Sequence, residues 1–178
     1  ITKVKDLTIA QIKKEWEGAG VLHFTGHAMF NWLNPDDAFL RIASNVRMGL
    51  ADLRELRFQR GALVFLSACD TGRHGMGATR STSRGIVSSL LEAGAATVIC
   101  ALWPIHSCAA ALVAHWFYQS WISERKGRLE SLQEATRKLR DARRSECEGI
   151  LGRRVYLRGE RPFEDEYYWG AFVLYGAW

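Results

Sequence analysis

Three short runs of apolar and β-branched residues, VLHFT at 21–25, LVFLS at 63–67 and TVICAL at 97–102, are separated by stretches with helical spacing. That alternation constrains the fold more than any other feature. Runs of this length read as strands buried within a sheet. The intervening patterns LADLRELRF at 50–58 and GIVSSLLEA at 85–93 read as amphipathic helices, the second stopped by Gly94. Strands joined through helices must run parallel, so the chain is expected to form an α/β protein with a mostly parallel sheet.

The rest of the chain extends this order. IAQIKKEWE at 9–17 has the spacing of a short helix that ends at Gly18 and Gly20, ahead of the first buried strand, Val21 to Thr25. NWLNPDD at 31–37 reads as a turn or loop. After Pro104 a helix capped by Ser107 is expected to run to about Ile122, a second to begin near Leu129, and a last strand to span Ala171 to Tyr175. Between Cys69 and Gly85 lies DTGRHGMGATRSTSR, poor in large apolar groups, which is expected to be a mobile loop.

Residues just past the ends of two strands suggest the chemistry. His27 stands just after the run ending at Thr25, and Cys69 just after the run ending at Ala68. If the two runs are adjacent parallel strands, both residues reach the same carboxyl edge, where open α/β sheets form their ligand crevice. A cysteine is mostly protonated at neutral pH and needs a neighbouring base, so this pair reads as a thiol nucleophile with its imidazole. The backbone N–H groups of Ala28 and Cys69 are candidate donors to the oxyanion of a tetrahedral intermediate.

Other readings of the same residues are weaker. His23 and His27 are four apart, a zinc spacing on a helix, but on a strand their side chains would project at points ~13 Å apart, so no metal is expected and His23 is read as a core residue. Cys100 and Cys108 lie in apolar contexts and read as small core residues, and the four cysteines lack paired spacing, which fits thiols in a reducing, cytoplasmic setting. The net charge of +5 gathers late, at Arg137, Lys138, Arg140, Arg143 and Arg144 and again at Arg153, Arg154, Arg158 and Arg161. Leu129, Leu132, Ala135, Leu139 and Ala142 keep helical spacing opposite the first cluster, so those arginines read as a solvated face, and direct nucleic-acid binding is not expected. No apolar stretch reaches the ~18 residues of a membrane span, and G-x-x-x-x-G-K is absent, so neither a membrane nor a nucleotide cofactor is expected. With 178 residues and 48% hydrophobic content, a single domain over 1–178 is expected; its opening on Ile1 reads as that of an excised or trimmed piece.

TGH at 25–27, LSACDTG at 66–72, SLLEAGAATVICALWPI at 89–105 and YYWGAFVLYG at 167–176 resemble, in order, the motifs of the CHAT family, bacterial cysteine peptidases related to caspases and separase. The resemblance covers most of the chain. It implies a caspase-like three-layer α/β/α fold with a mostly parallel central sheet, and an endopeptidase dyad of His27 and Cys69 cleaving a protein substrate without a cofactor. The 42-residue step from His27 to Cys69 is near the roughly 50-residue offset of caspases. Three departures stand out: Ala28 replaces the usual Gly, Asp70 the usual Glu, and His106 and Ser107 the usual acidic pair.

In caspase relatives that cut after Arg or Lys, an acid two before the cysteine or in the next strand's loop holds the P1 charge. Here those places are Ser67 and His106, so an apolar P1 residue is expected, with Ser67, Asp70, Trp103 and His106 as the substrate-binding set. Trp103 is a candidate groove wall, whereas Tyr167, Tyr168 and Trp169 read as core. The resemblance also implies regulation by a helical-repeat (TPR-like) segment or an effector complex, in bacterial signalling or defence and in some cases under an RNA-guided effector; the loop from Gly72 to Arg84 would be the element a partner orders. The alternatives are a catalytically silent protein-interaction domain of the same fold and a different thiol enzyme such as an acyltransferase.

Overall fold

A computed structural model describes residues 8–30, 34–68, 75–76 and 83–177. These fall into two compact units, Ile1–Trp103 with Tyr175–Ala177, and Pro104–Leu174.

The first unit opens with α1 (Ile9–Trp16), started by a reciprocal cap. The Thr8 hydroxyl accepts from the Gln11 N–H at 3.3 Å, while the Gln11 side chain accepts from the Thr8 N–H at 2.9 Å. Gly18, at φ +71°, then turns the chain into β1 (Val21–Thr25). β1 pairs in parallel with β5 (Leu63–Ser67), which pairs in parallel with β8 (Thr97–Ala101). The order is completed by β9 (Phe172–Gly176), giving β1-β5-β8-β9. Every residue of β5 and β8 is buried, which is why both read as unbroken apolar runs.

β1 departs from the expected fully buried strand. Only Phe24 is buried, while Val21, His23 and Thr25 alternate onto an exposed face, because β1 is an edge strand of the sheet. His23 is therefore not a core residue.

The link from β1 to β5 is also richer than a single helix. It holds a three-stranded antiparallel sheet, β2 (His27–Met29), β3 (Phe39–Arg41) and β4 (Arg47–Gly49), followed by α2 (Leu50–Arg54). Each strand has three residues, too short for its alternation to stand out in sequence. Leu40 and Met48 are fully buried on the inner face of this sheet, and the Gly49 N–H donates to Asp52 at 3.1 Å at the start of α2. Lys13 of α1 ties to α2 through Asp52 at 2.8 Å and Glu55 at 2.6 Å.

Between β5 and β8 the chain forms a short antiparallel ribbon, β6 (Gly75–Met76) with β7 (Ser83–Arg84), and then α3 (Ile86–Glu92). The expected loop from Gly72 to Arg84 otherwise lies outside the described residues. Gly94 closes α3 at φ +99°, its N–H donating to Leu91 at 3.0 Å.

The second unit is built on α4 (Ser107–Tyr118), which continues through a wide π-type turn at Gln119–Ser123 and packs on α5 (Arg128–Asp141). Leu112, Val113 and Phe117 of α4 and Leu132, Ala135 and Leu139 of α5 are buried, whereas Leu129 is exposed. α4 is capped by His106 rather than by Ser107: the His106 Nδ1 accepts from the Cys108 N–H at 3.2 Å. The basic cluster is internally paired in part, Lys138 with Glu134 at 3.0 Å and Arg140 with Asp141 at 2.8 Å.

A further helix, α6 (Arg144–Leu151), escapes the sequence patterning. Its Arg144 donates to the carbonyls of Val155, Leu157 and Gly159, binding the following loop to the helix. α7 (Glu166–Trp169) is capped by Asp165 and leaves Tyr167 exposed, with its hydroxyl donating to the Pro104 carbonyl at 2.7 Å. Tyr168 and Trp169 are half-buried, so this aromatic run is not the core expected of it. The core position nearby belongs to Phe163, whose ring faces His106 and Tyr168.

Candidate active site

The parallel register of β1 and β5 decides where the candidate residues meet. Thr25 pairs with Ser67, the last residue of each strand, and the Gly26 N–H reaches the Ser67 carbonyl at 3.4 Å. His27 lies two residues beyond Thr25 and opens β2, while the described part of the chain after β5 ends at Ala68, buried at the same edge. Cys69 and Asp70 lie outside the described residues.

Gly26 makes the change from the large sheet to the small one possible. A Cβ there would lie 2.7 Å from Phe24 Cζ and 3.2 Å from Cε1, so the buried Phe24 ring fills the space a side chain would need. The His27 side chain is exposed. With Ala28, Met29, Phe39 and Arg41 it lines an open pocket of about 200 Å³. Ala28, the candidate oxyanion donor, pairs with Leu40 across β2 and β3.

Ser67, expected to touch substrate, is buried and paired instead. Its hydroxyl lies 3.0 Å from His23 Nε2, and the His23 ring packs on Phe65 with centroids 4.9 Å apart. Ser67 and Phe65 shield one side of the otherwise exposed His23 ring from water, and this desolvation holds the imidazole below its ordinary pKa, favouring the neutral ring. This pairing was missed in the sequence because it depends on register: His23 stands opposite Phe65, which places Ser67 on the same face one step along.

Trp103 ends the first unit, two residues past β8, and is half-buried. His106 belongs to the second unit, where it caps α4; burial and then the nearby Arg153 charge lower its pKa. Cys100, Cys108 and Cys147 are buried thiols, and burial pushes the Cys147 thiol up to about 11. Among the described residues, no group of three or more His, Cys, Asp or Glu side chains converges as a metal site. No helix among them is long and apolar enough to cross a membrane.

A mostly parallel sheet flanked by helices, with a histidine just past the carboxyl end of one strand and the run leading to a cysteine on its neighbour, defines a caspase-like α/β protein of a cysteine-peptidase-related class. The chain belongs to the CHAT-domain family, whose profile matches residues 1–177. Comparison with curated proteins finds none that matches it.

Proposed function

We propose that this protein is a cysteine endopeptidase in which His27 activates Cys69. The observation that carries the reading is the pairing of Thr25 with Ser67, since His27 and Cys69 each stand two residues beyond that pair on adjacent parallel strands. His27 takes the thiol proton as the sulfur attacks the scissile carbonyl carbon. The N–H groups of Ala28 and Cys69 donate to the resulting oxyanion. When the C–N bond breaks, His27 returns the proton to the departing amine, and water then hydrolyses the thioester to free the thiol.

The remaining substrate contacts in this reading come from Asp70 and Trp103, with an apolar side chain at P1; Ser67, held by His23, and His106, the cap of α4, serve the fold. Membership of the CHAT family supports a setting in bacterial signalling or defence, including under an RNA-guided effector, with a protein substrate and activity switched by a helical-repeat segment or partner complex. The test is covalent capture. The full chain is treated with a peptide-derived electrophile, with and without any native partner, and the adduct is located by mass. Labelling of Cys69 that disappears in His27→Ala supports the dyad. Labelling at Cys69 no faster than at Cys147 under every condition refutes it and leaves a silent interaction domain of the same fold.

A further inference from the structure

The small sheet β2-β3-β4 has two unlike faces. Leu40 and Met48 are buried beneath it, while His27, Met29, Phe39, Arg41 and Arg47 share the outward face. Register puts His27 directly opposite Arg41, and Arg41 directly opposite Arg47. Two guanidinium groups and an imidazole therefore stand in one row across three strands. Like charges directly opposite on a sheet destabilise it, so folding alone gives no reason for the row.

Among the described residues, the pocket lining does not neutralise it. His27, Ala28, Met29, Phe39 and Arg41 supply no acid, and Asp36 and Asp37, on the turn before β3, do not line it. Arg41 is exposed and has no hydrogen-bond or ion-pair partner among the described residues. Arg47 lies over the Phe39 ring at 4.8 Å, which holds its charge at the pocket's edge.

We propose that this face binds an acidic side chain, Glu or Asp, of the polypeptide substrate, close to the bond that His27 and Cys69 act upon; the assignment of a substrate rests on the peptidase reading above. Arg41 would take the carboxylate in a forked pair, and Met29 and Phe39, on the same face, would cover the aliphatic stem. A pocket of about 200 Å³ has room for one such side chain. The chemistry favours a peptide over a nucleic-acid strand, because the described lining residues hold a single phenyl ring, with Arg47 already over it, and so no series of platforms on which successive bases could stack.

The test separates binding from catalysis by using the full chain with Cys69→Ala. Two fluorescent peptide pools, identical except for Glu or Gln at one fixed position, are compared by fluorescence polarisation, with a single-stranded oligonucleotide as a third probe. The Glu pool should bind roughly five- to tenfold more tightly at low salt, and the preference should shrink as salt rises. Arg41→Gln should abolish the preference while raising the melting temperature, since it removes the clash with Arg47; a residue serving the fold would lower it. Equal binding of the two pools, an undiminished preference in Arg41→Gln, or tighter binding of the oligonucleotide than of the Glu pool would overturn the proposal. Because Cys69 is absent, these outcomes do not depend on whether the dyad is active.

Discussion

Gly26→Ala probes the turn that carries the chain from β1 to His27, and its cost can be worked from three distances. The new methyl would lie 2.7, 3.2 and 3.4 Å from Phe24 Cζ, Cε1 and Cε2. Carbon atoms settle at about 3.5–4.0 Å, so the ring must retreat by about 1 Å. It has little room to do so, being 8% exposed and edge-on to Trp16 with centroids 6.3 Å apart. Overpacking of this kind costs about 1–3 kcal/mol, offset by about 0.4–1 kcal/mol from the stiffer unfolded chain, for a net loss near 1–2 kcal/mol. With a urea slope of about 2 kcal/mol/M, the midpoint should fall by about 0.5–1 M.

Urea titrations monitored by circular dichroism measure this, and Gly149→Ala serves as the opposite control. Gly149 lies inside α6 with nothing within 4 Å of a new Cβ, so that variant should gain about 0.5–1 kcal/mol. The decisive comparison is a cycle with Phe24→Leu, which removes the atoms the methyl would strike. Gly26→Ala should then cost almost nothing, a coupling of about 1 kcal/mol or more. Additivity within ~0.5 kcal/mol, or a Gly26→Ala protein as stable as the parent, would refute the reasoning.

Three further outcomes are expected. Arg144→Lys should destabilise by about 1–3 kcal/mol in denaturant titration, because one ammonium cannot reproduce the fork that reaches the carbonyls of Val155, Leu157 and Gly159. Hydrogen bonds from Lys126 and then Lys138 hold the Glu134 carboxyl down to about 2 from its ordinary 4.5, so the folded state gains stability that is fully present above pH 4.5 and lost as pH falls toward 2. Melting curves of Glu134→Gln should accordingly be lower at pH 7 and converge with the parent across that window; parallel curves would contradict the assignment. Cys147, buried and pushed up to about 11, should resist iodoacetamide at pH 8 in the native chain and react once urea unfolds it, as read by peptide mass mapping.

The sequence by itself determined the elements whose signals are local. The spacing of IAQIKKEWE, the unbroken runs at 63–67 and 97–101, and Gly94 after α3 carry their own instructions for a helix, two buried strands and a helix stop. It also carried the family motifs and the two residues, His27 and Cys69, that the proposed chemistry uses. Tertiary structure decided what depends on partners distant in the chain. At the end of the described sheet the alternate residues of β1 lie uncovered, so His23 became the partner of Ser67 rather than part of the core. Packing of Leu40 and Met48 made strands of three-residue segments that no periodicity marks, and their register aligned His27, Arg41 and Arg47 on one face. Capping of α4 passed from Ser107 to His106 because the imidazole, held between Phe163 and Tyr168, already faced the Cys108 N–H. In each case the deciding contact joins residues that only the folded chain brings together, and a local reading of propensity and spacing has no access to it.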